Sequence, residues 1–312
     1  MIICIASGKG GTGKTTVATN LAWAIATDKA MSRREVVFLD CDAEEPNAAL
    51  FLRPILEHHE EVGILIPQVD LSKCTYCGRC AEVCVWHALA VVGKKVLVFP
   101  ELCHGCGSCT LNCPEQAIHE RLYTLGRLES GWAGPILFGQ GTLDVGQAMS
   151  TPLIRQLKKK HLAGQGGAHL GHNQVVILDA SPGTSCPVVE AMRGADLVLL
   201  VTEPTPFGLH DLRLAVQVAR DELGLPVGVV VNRDGIGDAS VDEYCASQGV
   251  PILMRIPHDR HIAEAYSDGV MLLQAQPSYG GLFMQLYDRI TGLVERRSSS
   301  PGRLAVAGNG VQ

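Results

Sequence analysis

A glycine-rich loop between two apolar segments is the feature that most constrains the fold. Residues 7–16 read SGKGGTGKTT, which fits the pattern G-x-x-x-x-G-K-[ST]. The preceding residues 2–6, IICIA, suit a buried strand, and residues 17–22, VATNLA, suit the first turns of a helix. The glycines let successive backbone N–H groups point at a phosphate, and the helix N-terminus adds partial positive charge there. The sequence therefore predicts a strand, a phosphate-binding loop and a helix within an α/β fold.

The side chains of this loop have distinct expected roles. We expect Lys14 to reach the outer phosphates of a nucleotide and the Thr15 hydroxyl to hold Mg²⁺. The residues expected to contact the nucleotide here are Gly8, Gly10, Gly11, Thr12, Gly13, Lys14, Thr15 and Thr16.

A second lysine, Lys9, narrows the class of phosphate loop. The string GKGGTGKT resembles the deviant Walker A motif of the MinD/Mrp/nitrogenase-iron-protein group of ATPases. In that family the extra lysine crosses a dimer interface to the partner's nucleotide. The resemblance implies an Mg²⁺-dependent ATPase that binds ATP and ADP, with Lys9 and Lys14 as catalytic residues. It also implies a dimer, either with a second copy or with a paralogue. The alternative is that Lys9 is an ordinary solvated loop lysine.

Composition argues against two classes of partner. The chain has 312 residues and a net charge of −6, whereas a nucleic-acid surface needs clustered Lys and Arg. No stretch of eighteen apolar residues occurs, and the first residues read as a strand rather than a signal peptide. We therefore expect a cytoplasmic protein that binds neither nucleic acid nor membrane.

Acidic residues follow two further apolar strands. Residues 35–39 precede Asp40 and Asp42, and residues 174–178 precede Asp179 in a Walker B pattern. In open α/β sheets the ligand lies beyond the carboxyl ends of the strands, so these acids are expected near the γ-phosphate and Mg²⁺. The segment after residue 39 resembles the switch I of the family, which implies that Asp42 activates the attacking water. Asp40 and Asn47 are supporting candidates in this segment. Asp40 and Asp179 are the expected Mg²⁺ ligands. The alternative is that the acidic cluster after residue 39 is a solvated strand end.

The remaining nucleotide contacts come from the resemblance alone. In this family an Asn-Arg or Asn-Lys pair at a strand end reads the adenine, which here implies Asn232 and Arg233. The family's I-P-x-D segment closes over the base, and Pro257 and Asp259 occupy its positions.

Eight of the twelve cysteines form two copies of C-x₂-C-x₂-C-x₃-C, and the second copy is followed by Pro114. The pattern resembles bacterial two-cluster ferredoxins, in which the fourth cysteine of each motif ligates the other cluster. The resemblance implies two [4Fe–4S] clusters. One would be held by Cys74, Cys77, Cys80 and Cys113, and the other by Cys84, Cys103, Cys106 and Cys109. Zinc is the rival metal, but zinc sites use separated Cys pairs. Val85 departs from the usual proline, and His87 and His104 are interpreted as loop or packing residues.

The other cysteines are dispersed. Cys4, Cys41 and Cys245 are predicted to be small buried side chains. Cys186 begins a predicted helix, where the helix dipole lowers a thiol pKa. A hypothesis for Cys186 is that it faces a partner subunit and shares a metal there.

These elements predict a discontinuous architecture. A mostly parallel P-loop NTPase sheet flanked by helices is expected from residues 1–62 and 120–312, and an α+β ferredoxin domain of the bacterial type is inserted at residues 63–119. We expect short strands between residues 118 and 149, a flexible histidine-bearing loop at residues 162–173, and a disordered tail at residues 298–312.

Three functions fit this organisation. The first is a nucleotide-dependent dimer that couples ATP hydrolysis to electron transfer or to a redox-controlled protein partner. The second is an iron–sulfur cluster carrier or assembly ATPase. The third is a MinD-like spatial organiser with structural or sensing clusters. The sequence names no electron donor or acceptor.

Overall fold

A nine-stranded sheet organises the chain in the computed structural model, which describes residues 1–31, 33–162 and 173–298. The strands are β1 (Ile2–Ala6), β2 (Glu35–Cys41), β3 (Ile55–Val69), β4 (Leu89–Val92), β5 (Lys95–Val98), β6 (Ile118–Ala133), β7 (Ile136–Leu143), β8 (Gln174–Ala180), β9 (Leu197–Thr202), β10 (Val227–Asp234) and β11 (Ile252–Pro257). The helices are α1 (Lys14–Thr27), α2 (Ala48–Leu52), α3 (Arg79–Glu82), α4 (Ser108–Leu111), α5 (Thr151–Leu162), α6 (Cys186–Met192), α7 (Pro206–Val216), α8 (Ser240–Gln248), α9 (Arg260–Ser267), α10 (Leu272–Ala275) and α11 (Gly280–Ser298).

The strand order is β11-β10-β9-β1-β8-β2-β7-β6-β3. The seven strands from β11 to β7 are parallel, and β6 and β3 add an antiparallel edge. The predicted mostly parallel sheet with flanking helices is therefore confirmed.

Helices cover both faces of the parallel strands, which explains why these strands read as continuous apolar runs. On β1, Ile3 and Ile5 point into the core that includes α1 and α11. Cys4 and Ala6 point to the opposite face, into the core that includes α5, α6 and α7. The phosphate loop thus begins from a strand that is buried on both sides.

The antiparallel edge corrects one prediction. Residues 118–149 do not form several short strands, because β6 is a single strand of 16 residues that pairs with the 15-residue β3. β6 pairs with β7 only from Gly126 onward, so the rest of β6 and its partner β3 leave the sheet as a two-stranded ribbon. Close backbone approach requires glycine where the ribbon departs, since a Cβ on Gly63 would lie 1.9 Å from the Tyr123 carbonyl oxygen.

A small unit with its own core lies at the far end of this ribbon. It contains the β4–β5 hairpin, the two short helices α3 and α4, and all eight cysteines of the motifs. Three of those cysteines, Cys84, Cys103 and Cys109, are buried together with Ile66 and Ile118 of the ribbon. The cysteine loops are therefore packed against the strands that connect them to the main sheet.

Two segments predicted to be flexible fall largely outside the described residues. These are residues 163–172 of the histidine-bearing loop and residues 299–312 of the tail. Ser298, which we expected in the tail, ends α11 instead.

Candidate functional site

The phosphate loop ends at the N-terminus of α1. Gly13 caps this helix in the left-handed conformation with φ 92°, and no acidic side chain occupies the first turn. Gly8 packs so closely on α7 that an added Cβ would lie 2.3 Å from the Asp211 carbonyl oxygen. The Lys14 side chain lies mostly inside the protein, at 7% exposure. The loop is therefore a fixed cradle whose N–H groups and lysine are available to an anion.

Asp179 and Asp40 lie side by side because their strands β8 and β2 are neighbours in register. Both carboxylate oxygens of Asp179 are buried and have no hydrogen-bond partner. Burial raises the pKa of Asp179 to about 7, while Thr15 and Lys14 oppose that rise. A buried carboxylate without a partner is costly, and a bound cation beside Thr15 would remove the cost. These residues therefore fit Mg²⁺.

Asp40 is engaged with the backbone instead. Its Oδ1 accepts the Asp42 N–H and its Oδ2 accepts the Ala48 N–H, both at 3.0 Å. Burial and the nearby charge of Asp179 raise the pKa of Asp40 well above its usual value. Asp40 thus holds the loop after β2 in place, and its predicted contact with Mg²⁺ stays a prediction.

Asp42 lies on the wall of the cleft above the phosphate loop. Burial raises the pKa of Asp42, while a hydrogen bond from Ser181 and the charge of Lys14 lower it. The loop that carries Asp42 also contributes Glu45 and Asn47 to the cleft. Asp42 therefore lines the same cleft as Lys14, and its role with an attacking water stays a prediction.

The predicted base-binding residues converge on the loop from the other side. The Asn232 side chain donates from Nδ2 to the Thr12 carbonyl oxygen at 2.8 Å. Arg233 has a positive φ of 54° and pairs with Glu203, Nη1 to Oε1, at 2.6 Å. A positive φ is uncommon for a non-glycine residue, and such backbone conformations are found frequently at ligand sites.

The structure adds a residue that the sequence interpretation missed. Glu203 follows β9 and is 6% exposed, and its Oε2 lies 3.2 Å from the Lys9 Nζ. The carboxylate of Glu203 therefore joins Lys9 to Arg233 within one chain. The available signal was an acid directly after a buried strand, at the same sheet edge as Asp40 and Asp179.

A cleft of about 470 Å³ lies between the phosphate loop, the loop after β2 and the ends of β10 and β11. Pro257 and Asp259 lie on its far wall, with Ile262 and Tyr266 of α9 beside them. The Asp259 side chain caps α9 by accepting the His261 N–H. Most of the predicted nucleotide contacts line this cleft, namely Gly10, Gly11, Gly13, Lys14, Thr15, Thr16, Asp42, Asn232, Arg233, Pro257 and Asp259.

The eight motif cysteines line two separate cavities. Cys84, Cys103, Cys106 and Cys109 surround one, and Cys74, Cys77, Cys80 and Cys113 surround the other. These are the two sets that the resemblance to two-cluster ferredoxins implies, and their ligation of clusters stays a prediction. Across residues 1–31, 33–162 and 173–298, no group of three or more His, Cys, Asp or Glu side chains is close enough to hold one metal ion.

The two cysteine loops have the same backbone geometry at a spacing of 29 residues. Positive φ angles occur at the paired positions Tyr76 and Gly105, Gly78 and Gly107, and His87 and Gln116. The Cys84 Sγ accepts the Ala88 N–H at 3.2 Å, and the Cys113 Sγ accepts the Ala117 N–H at 3.3 Å. Donors aimed at sulfur, in an all-thiol set, suit iron–sulfur ligation.

The four cysteines outside the motifs have the predicted positions, three of them buried and one at the start of a helix. Cys4, Cys41 and Cys245 are buried, and burial raises the pKa of Cys4 to about 12 and that of Cys245 to about 11. Cys186 is exposed as the first residue of α6. The idea that Cys186 shares a metal with a partner stays a hypothesis.

Comparison with known proteins supports the nucleotide site. The profile of the CobQ/CobB/MinD/ParA nucleotide-binding domain, CbiA, matches residues 3–273. An uncharacterized protein of Methanocaldococcus jannaschii is 31% identical over 283 residues, covering 88% of this chain and 92% of that protein. The iron-sulfur cluster carrier protein of Synechocystis is 24% identical, covering 88% of this chain and 65% of the carrier.

Solved structures share the fold. The cell division ATPase MinD of Pyrococcus furiosus superposes with a TM-score of 0.55 at 23% identity, covering 94% of this chain and 98% of that one. MinD of Pyrococcus horikoshii, solved with Mg-ADP, superposes with a TM-score of 0.54 at 20% identity, covering 96% and 99%. No helix within the described residues has the length and apolar character needed to span a membrane. The chain therefore belongs to the CbiA family of MinD/ParA-type P-loop ATPases, for which ATP hydrolysis is expected.

Proposed function

We propose that this protein is an ATP-hydrolysing iron–sulfur protein that dimerises with nucleotide and couples hydrolysis to electron transfer, or to a redox-controlled contact with a protein partner. The nucleotide half rests on the cleft and on family membership. The P. horikoshii MinD structure, which shares the fold, holds Mg-ADP. The iron–sulfur half rests on the two four-cysteine cavities.

The chain's own residues divide the work of hydrolysis. Lys14 and the N–H groups of the loop bind the phosphates, and Thr15 and Asp179 hold Mg²⁺. Asp42 orients the attacking water. Lys9 then enters the partner's site, as the family resemblance implies. In the single chain Lys9 pairs with Glu203, so dimerisation requires Lys9 to leave that contact.

The eight motif cysteines would ligate two [4Fe–4S] clusters in the sets that line the two cavities. Each cluster, when bound, supplies a one-electron couple with a potential between roughly −700 and +450 mV. The Ala88 and Ala117 N–H groups donate to ligand sulfurs, which stabilises the reduced, more negative state.

One observation supports a coupling between the nucleotide site and the cysteine unit. The base of the ribbon is hydrogen-bonded to the loop that bears Asp42. The Leu143 N–H donates to the Ala43 carbonyl oxygen at 2.8 Å, and the Asp144 N–H donates to the Leu125 carbonyl oxygen at 2.9 Å. Leu125 lies on β6 where the ribbon leaves the sheet. A movement of Asp42 toward a γ-phosphate is thereby transmitted through two backbone contacts to the strand that carries the cysteine unit.

The test is an anaerobic redox titration followed by electron paramagnetic resonance, with ADP and then with a non-hydrolysable ATP analogue. We expect the midpoint potential or the spin coupling of the clusters to change between the two nucleotides. Lys14→Ala is the control, because loss of phosphate binding should abolish the change while iron content is retained. Identical titrations with both nucleotides in the parent protein would refute coupling.

A second experiment addresses the dimer. Lys9→Ala should abolish the ATPase activity that depends on protein concentration and leave iron content unchanged, since Lys9 is remote in sequence from every motif cysteine. Unchanged turnover in this variant would refute a role in the partner's site.

A cluster carrier is the second candidate, because one relative is named an iron-sulfur cluster carrier protein. A carrier gives up its cluster to an acceptor. Anaerobic incubation with an apo-ferredoxin, followed by separation and iron analysis of both proteins, distinguishes transfer from permanent binding. Nucleotide-dependent assembly with neither iron transfer nor a redox response would instead favour a MinD-like spatial organiser.

A further inference from the structure

The two cysteine cavities are built on the same backbone plan but differ in the side chains that cover them. A shift of 29 residues relates the first motif to the second, so Thr75 corresponds to His104, and Trp86 corresponds to Glu115. All four of these residues line their cavities. The two cavities therefore differ in side-chain chemistry at these two pairs of equivalent positions.

A stacked aromatic pair lines one of the two cavities, that of Cys84, Cys103, Cys106 and Cys109. The Trp86 and His104 rings stack with their centroids 3.6 Å apart and their planes 14° apart. At the equivalent places the other cavity has Thr75 and Glu115, which offer a short hydroxyl and a charge. That cavity includes one aromatic side chain, Tyr76, in place of Gly105, but no stacked pair.

The burial of the cysteines differs at three of the four equivalent positions. Cys84, Cys103 and Cys109 are 8%, 7% and 7% exposed, whereas Cys106 is exposed like its equivalent Cys77. None of the cysteines of the other cavity is buried: Cys74, Cys80 and Cys113 are half-buried and Cys77 is exposed. The cavity beside Trp86 also has Leu65 and Pro67 of β3 in its wall, so it lies nearer the main sheet along the ribbon. The other cavity is lined by Val69 and Ile118, at the outer end of the ribbon.

We propose that the Trp86–His104 pair is a lid that shields the iron–sulfur site of Cys84, Cys103, Cys106 and Cys109 from water and small reagents. The site of Cys74, Cys77, Cys80 and Cys113 is then the open one, through which electrons or iron pass to a partner. This inference rests on the proposed iron–sulfur function. The apolar shell around a metal site controls solvent access, so removing part of it exposes the site.

The experiment measures iron release from the full-length holoprotein, prepared anaerobically and then exposed to a ferrous-iron chelator with a mild oxidant. Release should occur in two phases of equal amplitude, a fast one from the open site and a slow one from the lidded site. Cys77→Ala and Cys106→Ala each disable one site and so assign the phases.

Trp86→Ala and His104→Ala should each accelerate the slow phase about tenfold and leave the fast phase unchanged. Trp86→Phe retains an aromatic ring and should keep the slow phase. Glu115→Ala and Thr75→Ala are matched controls at the equivalent positions, and should alter neither rate. In the converse design, Thr75→His combined with Glu115→Trp should slow the fast phase.

Trp86 is half-exposed, so its loss is not expected to unfold the unit, and ATPase activity verifies the rest of the chain. A single phase of release, or two phases that Trp86→Ala leaves unchanged, would overturn the lid while the iron–sulfur function stands. A protein that takes up no iron on anaerobic reconstitution would overturn the proposed function, and the lid with it.

Discussion

Replacement of Asp179 by Asn tests whether this residue is a magnesium ligand. If it is, the replacement should stabilise the metal-free protein and weaken the binding of Mg²⁺ with nucleotide. The Asp179 side chain is buried at 1% exposure, and neither carboxylate oxygen has a partner. Without a cation, the charged form of this residue destabilises the fold. Asp179→Asn removes the charge and keeps the shape. It should therefore stabilise the metal-free protein and abolish binding of Mg²⁺ with nucleotide.

The magnitude follows from the pKa. Burial raises the pKa of Asp179 from 3.8 to about 7. At 1.36 kcal/mol per pH unit this lowers the free energy of unfolding by roughly 4 kcal/mol above pH 7. Because the folded pKa is the higher one, the penalty is absent below about pH 4 and grows as the pH rises through 7. The new amide is also unpartnered, which costs about 1–3 kcal/mol. The net gain near pH 8 is therefore about 1–3 kcal/mol.

Thermal unfolding in a chelating buffer without nucleotide measures this gain. One kcal/mol corresponds to about 2–4 °C for chains of this order of size. The advantage of Asp179→Asn should shrink by about 2 kcal/mol between pH 8 and pH 5.5, as the parent carboxyl becomes protonated. Saturating Mg-ATP at about 100 times its Kd should stabilise the parent by about 2.7 kcal/mol and leave the variant unchanged. A variant that is less stable than the parent at pH 8, or whose gain does not depend on pH, would refute the reasoning.

Two further changes test other contacts. Gly8→Ala should cost about 1–3 kcal/mol of stability, because the new Cβ would lie 2.3 Å from the Asp211 carbonyl oxygen. It should also lower the nucleotide affinity measured by calorimetry. Gly10→Ala is the matched control: a Cβ on Gly10 would have no atom within 4 Å, so the free energy of unfolding should not change. If both alanines behave alike, the packing argument fails. Burial, aided by the charge of Lys160, lowers the pKa of His161 to about 4, so this residue costs stability as the pH falls from about 6.5 to 4. His161→Leu should therefore lower the midpoint pH of acid unfolding, and an unchanged midpoint would contradict this.

The local part of the nucleotide site was predictable because it follows from short segments. A strand, a glycine loop and a helix specify the position of Lys14 whatever the remaining chain does, and an acid directly after a buried strand specifies the sheet edge of Asp179. The convergence of Lys9, Glu203 and Arg233 was not predictable in this way. It depends on three loops that are remote in sequence and meet only because β1, β9 and β10 are neighbours in the sheet.

The ribbon was missed for a different reason. Strands β3 and β6 pair over residues separated by up to about 77 positions, and half of each strand lies outside the sheet. The buried side chains of the ribbon, such as Ile64 and Ile66, face the small cysteine unit rather than the main sheet, and the glycines at its close approaches resemble turns. The predicted insertion limits, residues 63 and 119, consequently fall within β3 and at the start of β6.

If the nucleotide and cluster sites are coupled as proposed, thermodynamic linkage makes that coupling reciprocal. If nucleotide exchange alters the loop of Asp42, and that loop alters the ribbon through Ala43 and Leu143, the same contacts act in the opposite direction. A change in midpoint potential of about 59 mV between the ADP and ATP states of a one-electron couple corresponds to a tenfold change in affinity. The oxidised and reduced proteins must then differ tenfold in their relative preference for ATP over ADP. Nucleotide binding measured on both redox states, without any titration of potential, therefore yields the same coupling free energy, about 1.4 kcal/mol in this example. Equal preferences in the two redox states would mean that the midpoint potential is the same with ADP and with ATP, and would refute the coupling.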